Sequence, residues 1–111
     1  MAWTNEQLKA INDSGYNIIV SAGAGSGKTA VLSERVLQKI LNGTHVNELL
    51  ILTFTKAAAE EMKSRIRKKI SSNKDLSHEL TLLDSAYITT FDSYALSVVK
   101  NIIIYLIFQK I

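Results

Sequence analysis

The 111-residue sequence predicts an α/β fold, a parallel sheet flanked by helices. Three observations predict it. Short apolar runs at residues 17–22, 49–53 and 86–90 read as strands. The segments between them carry apolar residues at helical spacing. A glycine-rich turn ending in Gly27-Lys28-Thr29 joins the first strand to the first long helix.

Taken in order, Thr4-Asn5-Glu6-Gln7 is a helix start, with Thr4 as N-cap and Gln7 as its capping-box partner. Leu8 and Ile11 give that helix an apolar face, and Gly15 ends it. Residues 17–22 form a strand buried on both faces, because the apolar run does not alternate. Residues 28–41 form a helix with Leu32, Val36 and Ile40 on one side, stopped by Asn42-Gly43. Leu49-Leu50-Ile51-Leu52-Thr53 is a second buried strand, so the strand–helix–strand order implies a right-handed parallel crossover. Residues 56–70 form the next helix, with Ala58, Met62, Ile66 and Ile70 as its buried stripe. A polar loop at 71–77 and a short helix at 80–83 follow. Ala86-Tyr87-Ile88-Thr89-Thr90 is a third strand. Residues 91–100 form a last helix with Tyr94, Val98 and Leu96 inward.

Composition sets bounds. Hydrophobic residues make up 47% and charged residues 21%, which suits a folded chain. The net charge of +3 mildly favours polyanionic partners. The absence of cysteine excludes disulfides and thiolate metal sites. The first residues lack the order of a signal peptide, so the expected location is cytoplasmic. The apolar run at 102–108 is far short of the roughly 20 residues that a membrane helix needs. It reads as a buried strand, the end of a buried helix, a truncated end where the rest of a core is missing, or a self-association surface.

Ala22-Gly23-Ala24-Gly25-Ser26-Gly27-Lys28-Thr29 has the context of a phosphate-binding loop. The glycines let main-chain N–H groups turn inward around a polyphosphate. The helix opening at Lys28 adds its positive dipole end. Lys28 would reach the β and γ phosphates of ATP, and the Thr29 hydroxyl would hold Mg²⁺. Ala22 stands where the strict pattern has glycine, and a methyl group is a small intrusion.

Four blocks in order carry a family resemblance: Trp3-Thr4-Asn5-Glu6-Gln7, the phosphate loop, the run from Leu52-Thr53-Phe54-Thr55-Lys56 to Met62, and Ile88-Thr89-Thr90-Phe91-Asp92-Ser93-Tyr94. They resemble the Q motif and motifs I, Ia and Ib of UvrD/Rep-type superfamily 1 DNA helicases, with the AddA/RecB helicase–nuclease branch as a relative. Alanine is common at the first loop position in that family. The resemblance implies a partial RecA-like P-loop NTPase domain over residues 1–100, followed by an apolar tail at 101–111. It implies that Gln7 recognises the adenine edge, beside the bland alternative that Gln7 only caps its helix. It implies that Thr53, Phe54, Thr55, Lys56, Thr90, Phe91 and Ser93 line a single-stranded DNA path. The bland alternative makes Thr55 an N-cap and Phe54 a core residue. Asp92 stands where the family usually has histidine, which puts DNA contact at that position in doubt. The resemblance also implies a nuclease partner subunit.

Other charged residues read as structural. Glu60 and Glu61 do not face each other and pair with nearby lysines. Lys63, Arg65, Arg67, Lys68 and Lys69 read as a solvated helix face. His45 and His78 have no partner at metal-ligand spacing and read as surface residues.

Hydrolysis needs a carboxylate that holds Mg²⁺ and another that orients water. No apolar run here ends in Asp-Glu; Leu82-Leu83-Asp84 comes nearest. The expectation is an excised or truncated ATP-binding segment with weak nucleotide binding, negligible ATPase and no unwinding. The alternative is a non-catalytic nucleotide-binding or self-association module. A small P-loop kinase fits poorly, because no lid arginine cluster or acceptor site is evident.

Overall fold

The computed structural model describes residues 2–13, 15 and 27–109, with side chains through Ile103. The predicted strand at 17–22 and loop residues Ala22, Gly23, Ala24, Gly25 and Ser26 lie outside the described residues.

Among the described residues, seven main elements follow one another: α1 (Asn5–Asn12), α2 (Lys28–Leu41), β1 (Leu50–Thr53), α3 (Lys56–Ser71), α4 (Ser77–Leu83), β2 (Tyr87–Thr90) and α5 (Phe91–Gln109). Short 3₁₀ turns at Val46–Glu48 and Lys74–Leu76 precede β1 and α4. The two strands pair in parallel, with Leu50 opposite Tyr87 and Thr53 opposite Thr90. A parallel pair needs a long crossover, and α3 and α4 provide it.

The capping box forms as the sequence predicts. The Thr4 hydroxyl accepts from the Gln7 N–H at 3.1 Å, and the Gln7 amide oxygen accepts from the Thr4 N–H at 2.9 Å. Helix α1 ends at Asn12, before Gly15, and Asp13 is its C-cap. Helix α2 has the predicted bounds and stops at Asn42-Gly43, where Gly43 turns at φ +104°. Thr55 caps α3 by accepting from the Ala58 N–H at 3.0 Å.

One hydrophobic core holds these elements. Val36 and Ile40 of α2 meet Met62, Ile66 and Ile70 of α3, with Val46, Ile51, Leu76 and Leu83. Fully burying each large apolar side chain contributes about 1.5–3 kcal/mol. Helices α2 and α3 are also tied by Lys69, which donates to Glu34 at 2.7 Å. Burial pushes the Glu34 carboxyl up, but hydrogen bonds from Lys69 and Gln38 outweigh it and hold its pKa below the ordinary value.

Several side-chain expectations are corrected. Leu8 and Leu32 are exposed, while Ala10 and Ser33 take the buried positions. Ser33 is tolerated there because its hydroxyl donates to the Ala30 carbonyl at 2.9 Å. In α3 the buried alanine is Ala59, one residue beyond the expected Ala58. The strands are buried on one side only: Ile51 is in the core, whereas Leu50 is 47% exposed. Among the described residues each strand has a single neighbour and one covered face.

Helix α5 runs unbroken past Lys100 to Gln109, so the run at 102–108 continues a helix. Tyr94 packs edge-on against Tyr87 of β2, with ring centres 5.9 Å apart. Leu96 and Val98, expected inward, are exposed together with Val99, Ile102 and Ile103. Among the described residues no helix is long and apolar enough to cross a membrane.

Candidate nucleotide and single-strand site

The start of α2 is shaped by Gly27. It sits at φ +81°, in the left-handed region that glycine enters without a Cβ penalty. Lys28 is exposed and Thr29 lies in the same first turn. No acidic residue occupies that turn. The helix start therefore brings its dipole and Lys28 together, which suits an anion.

Helix α1 packs against α2, and this brings Gln7 to the same place. The Gln7 Nε2 lies 3.6 Å from where a Cβ on Gly27 would stand. Its amide oxygen is spent on the capping box, so the bland reading of Gln7 is seen in the geometry. The cap does not use Nε2, and it fixes the side chain beside Gly27. Trp3 lines a shallow pocket with Ala30, Ser33, Glu34, Arg65 and Lys69.

The second cluster forms at the carboxyl ends of the strands, where parallel α/β sheets bind ligands. The parallel register sets Thr53 level with Thr90. Phe54 and Phe91 follow immediately, and their ring centres lie 5.5 Å apart with planes inclined by 35°. Phe54 is 92% exposed, which overturns the core alternative for it. Phe91 is half-exposed. Beside them Lys56 opens α3 on the solvent side.

The hydroxyls of this cluster have local work. Thr53 donates to the Thr55 carbonyl at 3.0 Å. Thr55 caps α3. The buried Thr90 hydroxyl accepts from the Ser93 N–H at 3.1 Å and donates to the Ser93 hydroxyl at 2.9 Å. Thr90 thus caps α5.

The basic side of α3 is largely neutralised. Arg65 pairs with Glu61, Arg67 with Asp84 and Lys69 with Glu34. Glu61 thus pairs with an arginine, not the lysine that the sequence suggested.

One grouping escaped sequence reasoning. His45, His78 and Glu79 come together, with His45 Nδ1 2.7 Å and His78 Nε2 3.4 Å from the same Glu79 carboxylate oxygen. Both histidines lie at the surface as expected, and the structure corrects only the expectation that they have no partner. His45 lies far from the other two in sequence, so no local spacing could reveal it.

The described residues define a class: a parallel α/β unit with a glycine-opened helix start and an aromatic pair at its strand ends. A model of the UvrD/REP helicase N-terminal domain matches residues 3–106. The chain belongs to that family. It is 56% identical over 106 residues to the A-type subunit of an ATP-dependent helicase/nuclease from Lactobacillus gasseri. A protein of the same name from Pediococcus pentosaceus is 50% identical over 109 residues, and one from Clostridium beijerinckii is 48% identical over 109. Each match covers 89% of this chain and 9% of the relative. The chain therefore spans about a tenth of the length of these relatives.

Proposed function

We propose that this chain is the ATP-binding N-terminal part of a DNA helicase motor that couples ATP hydrolysis to translocation on single-stranded DNA. The observation that carries the reading is the placement of Gln7 beside Gly27, at the exposed start of the Lys28 helix. Adenine recognition and phosphate recognition would then share one corner of the molecule.

In this reading Gln7 meets the adenine edge. The main chain of Ala22, Gly23, Ala24, Gly25, Ser26 and Gly27 cradles the phosphates, and Lys28 neutralises them. Thr29 holds Mg²⁺ through its hydroxyl. When bound, Mg²⁺ screens the charge that builds on the phosphates during hydrolysis. Residues 1–100 act as the motor segment, with 101–111 as its apolar tail.

The strand-end cluster serves the DNA. Phe54 and Phe91 offer faces on which unpaired bases stack. Lys56 and the start of α3 attract phosphate oxygens, and Thr53, Thr55, Thr90 and Ser93 shape the backbone around them. The proposed partners of the longer protein, in the cytoplasm, are single-stranded DNA and a nuclease subunit.

The 111 residues contain no apolar run ending in Asp-Glu. The chain by itself therefore binds nucleotide without turning it over. Calorimetry of ATP and ADP with Mg²⁺ tests this on wild type and Lys28→Ala. Binding in the wild type, lost in the variant, supports the reading. Robust turnover by the wild-type chain, abolished in Lys28→Ala, contradicts the inactive part of it.

A second reading rests on α5. Its exposed Leu96, Val99, Ile102 and Ile103 favour a self-associating module. Light scattering with and without residues 101–111 decides it, since an unchanged monomer argues against self-association.

A further inference from the structure

We propose that His45, His78 and Glu79 form a zinc-binding site that clamps the turn before β1 to the start of α4. The argument begins with Glu79, which is only 2% exposed. A buried carboxylate needs compensation on both oxygens. One oxygen accepts from the Val46 N–H at 3.0 Å. The other faces two imidazoles, His45 Nδ1 at 2.7 Å and His78 Nε2 at 3.4 Å.

Both ring nitrogens lie within ion-pair distance of that oxygen, and a metal would draw on the same three groups. The candidate ligand atoms of the three residues all lie within 4.8 Å of one another. Bonds of about 2.0–2.1 Å from a tetrahedral zinc put its ligand atoms roughly 3.4 Å apart. Small rotations of the two exposed rings reach that spacing, with the ion replacing the proton between His45 and Glu79. The rings are already splayed edge to face, their centres 6.1 Å apart and their planes at 77°.

The surroundings suit a metal of this type. Two neutral imidazoles and one carboxylate match zinc, whereas Mg²⁺ and Ca²⁺ prefer oxygen ligands. The Val46 N–H fixes the carboxylate from behind, as an outer-shell donor does. Both rings face solvent, so a water completes the set. A second anchor holds the loop, because the Glu48 carboxylate accepts from the His45 N–H at 2.8 Å. The consequence is mechanical. The ion would join a turn and a helix that are distant in sequence, on either side of the α3 crossover.

The test is calorimetry of ZnCl₂ into the tag-free chain without nucleotide, repeated with MgCl₂. Co²⁺ substitution reports geometry through its visible absorption. The expected result is a single zinc per chain, a raised melting temperature and tetrahedral cobalt bands. His78→Ala, an exposed position, should keep the fold and weaken zinc binding about tenfold or more. His45→Ala should do the same. Equal zinc affinity in the wild type and both variants would overturn the proposal. So would the absence of zinc binding by the wild type at millimolar concentration.

Discussion

The Arg35 guanidinium of α2 donates to the main-chain carbonyl of Asp13 at 2.8 Å. The same nitrogen reaches the Ala10 carbonyl at 2.9 Å and that of Ile11 at 3.4 Å. The last carbonyls of a helix have no partner within it. Arg35 supplies one from the neighbouring helix and so fixes α1, with Gln7, against α2. Arg35→Met keeps the aliphatic stem and removes the donors. It should cost about 1–3 kcal/mol in urea unfolding. Nucleotide binding should weaken further than stability alone explains, because Gln7 loses its reference.

Gly27→Ala isolates backbone strain. Among the described residues, an added Cβ meets nothing closer than the Gln7 amide at 3.6 Å, an ordinary contact. The φ of +81° remains, and a left-handed alanine costs roughly 1–2 kcal/mol. Thermal unfolding should show that loss. If stability is unchanged, the start of α2 has relaxed to another conformation.

Phe54→Ala tests the strand-end platform. Its ring is almost wholly exposed, so stability should change by less than about 0.5 kcal/mol. Affinity for a fluorescent single-stranded oligonucleotide should fall by about 1–3 kcal/mol, the worth of one stacked base. Anisotropy titrations at two salt concentrations check it. Phe54→Ala should leave the salt slope intact, whereas Lys56→Ala should reduce it.

The Glu34–Lys69 pair gives a pH signature. The folded carboxyl titrates below its ordinary value of 4.5. Its contribution is therefore complete above 4.5 and disappears as pH falls through the lowered folded value. Lys69→Met should flatten that part of the stability curve, with the loss largest above pH 4.5, where the contribution is complete, and smallest at the acid end. Melting temperatures from pH 3 to 7 report it.

Ile66 is fully buried between α2 and α3. Ile66→Ala should cost about 2–5 kcal/mol by denaturant unfolding.

Helix starts were legible because they are local. Thr4 with Gln7, and Thr55 before Lys56, carry their cap partners within one turn. The bounds of α2 follow from Gly27 and Gly43, glycines at positive φ at either end. Which side of a helix is buried was less legible. Leu32 keeps the period of Val36 and Ile40 yet is exposed, and Ser33 is buried instead. The polar stretch before α4 hid a buried Leu76, because three residues of 3₁₀ turn leave no period to read. The anchoring of α1 by Arg35 and the meeting of His45 with Glu79 depend on chain segments distant in sequence, which no window contains.

The parallel pairing of Thr53 with Thr90 works as a gauge. Neighbouring strands stand about 4.8 Å apart whatever side chains they carry. The gap between Phe54 and Phe91 is thus inherited from the hydrogen-bond ladder and owes little to the long connection between them. Drift in the sequence of that connection leaves the two rings equally spaced. A single-residue slip in either four-residue strand would invert its faces and separate them.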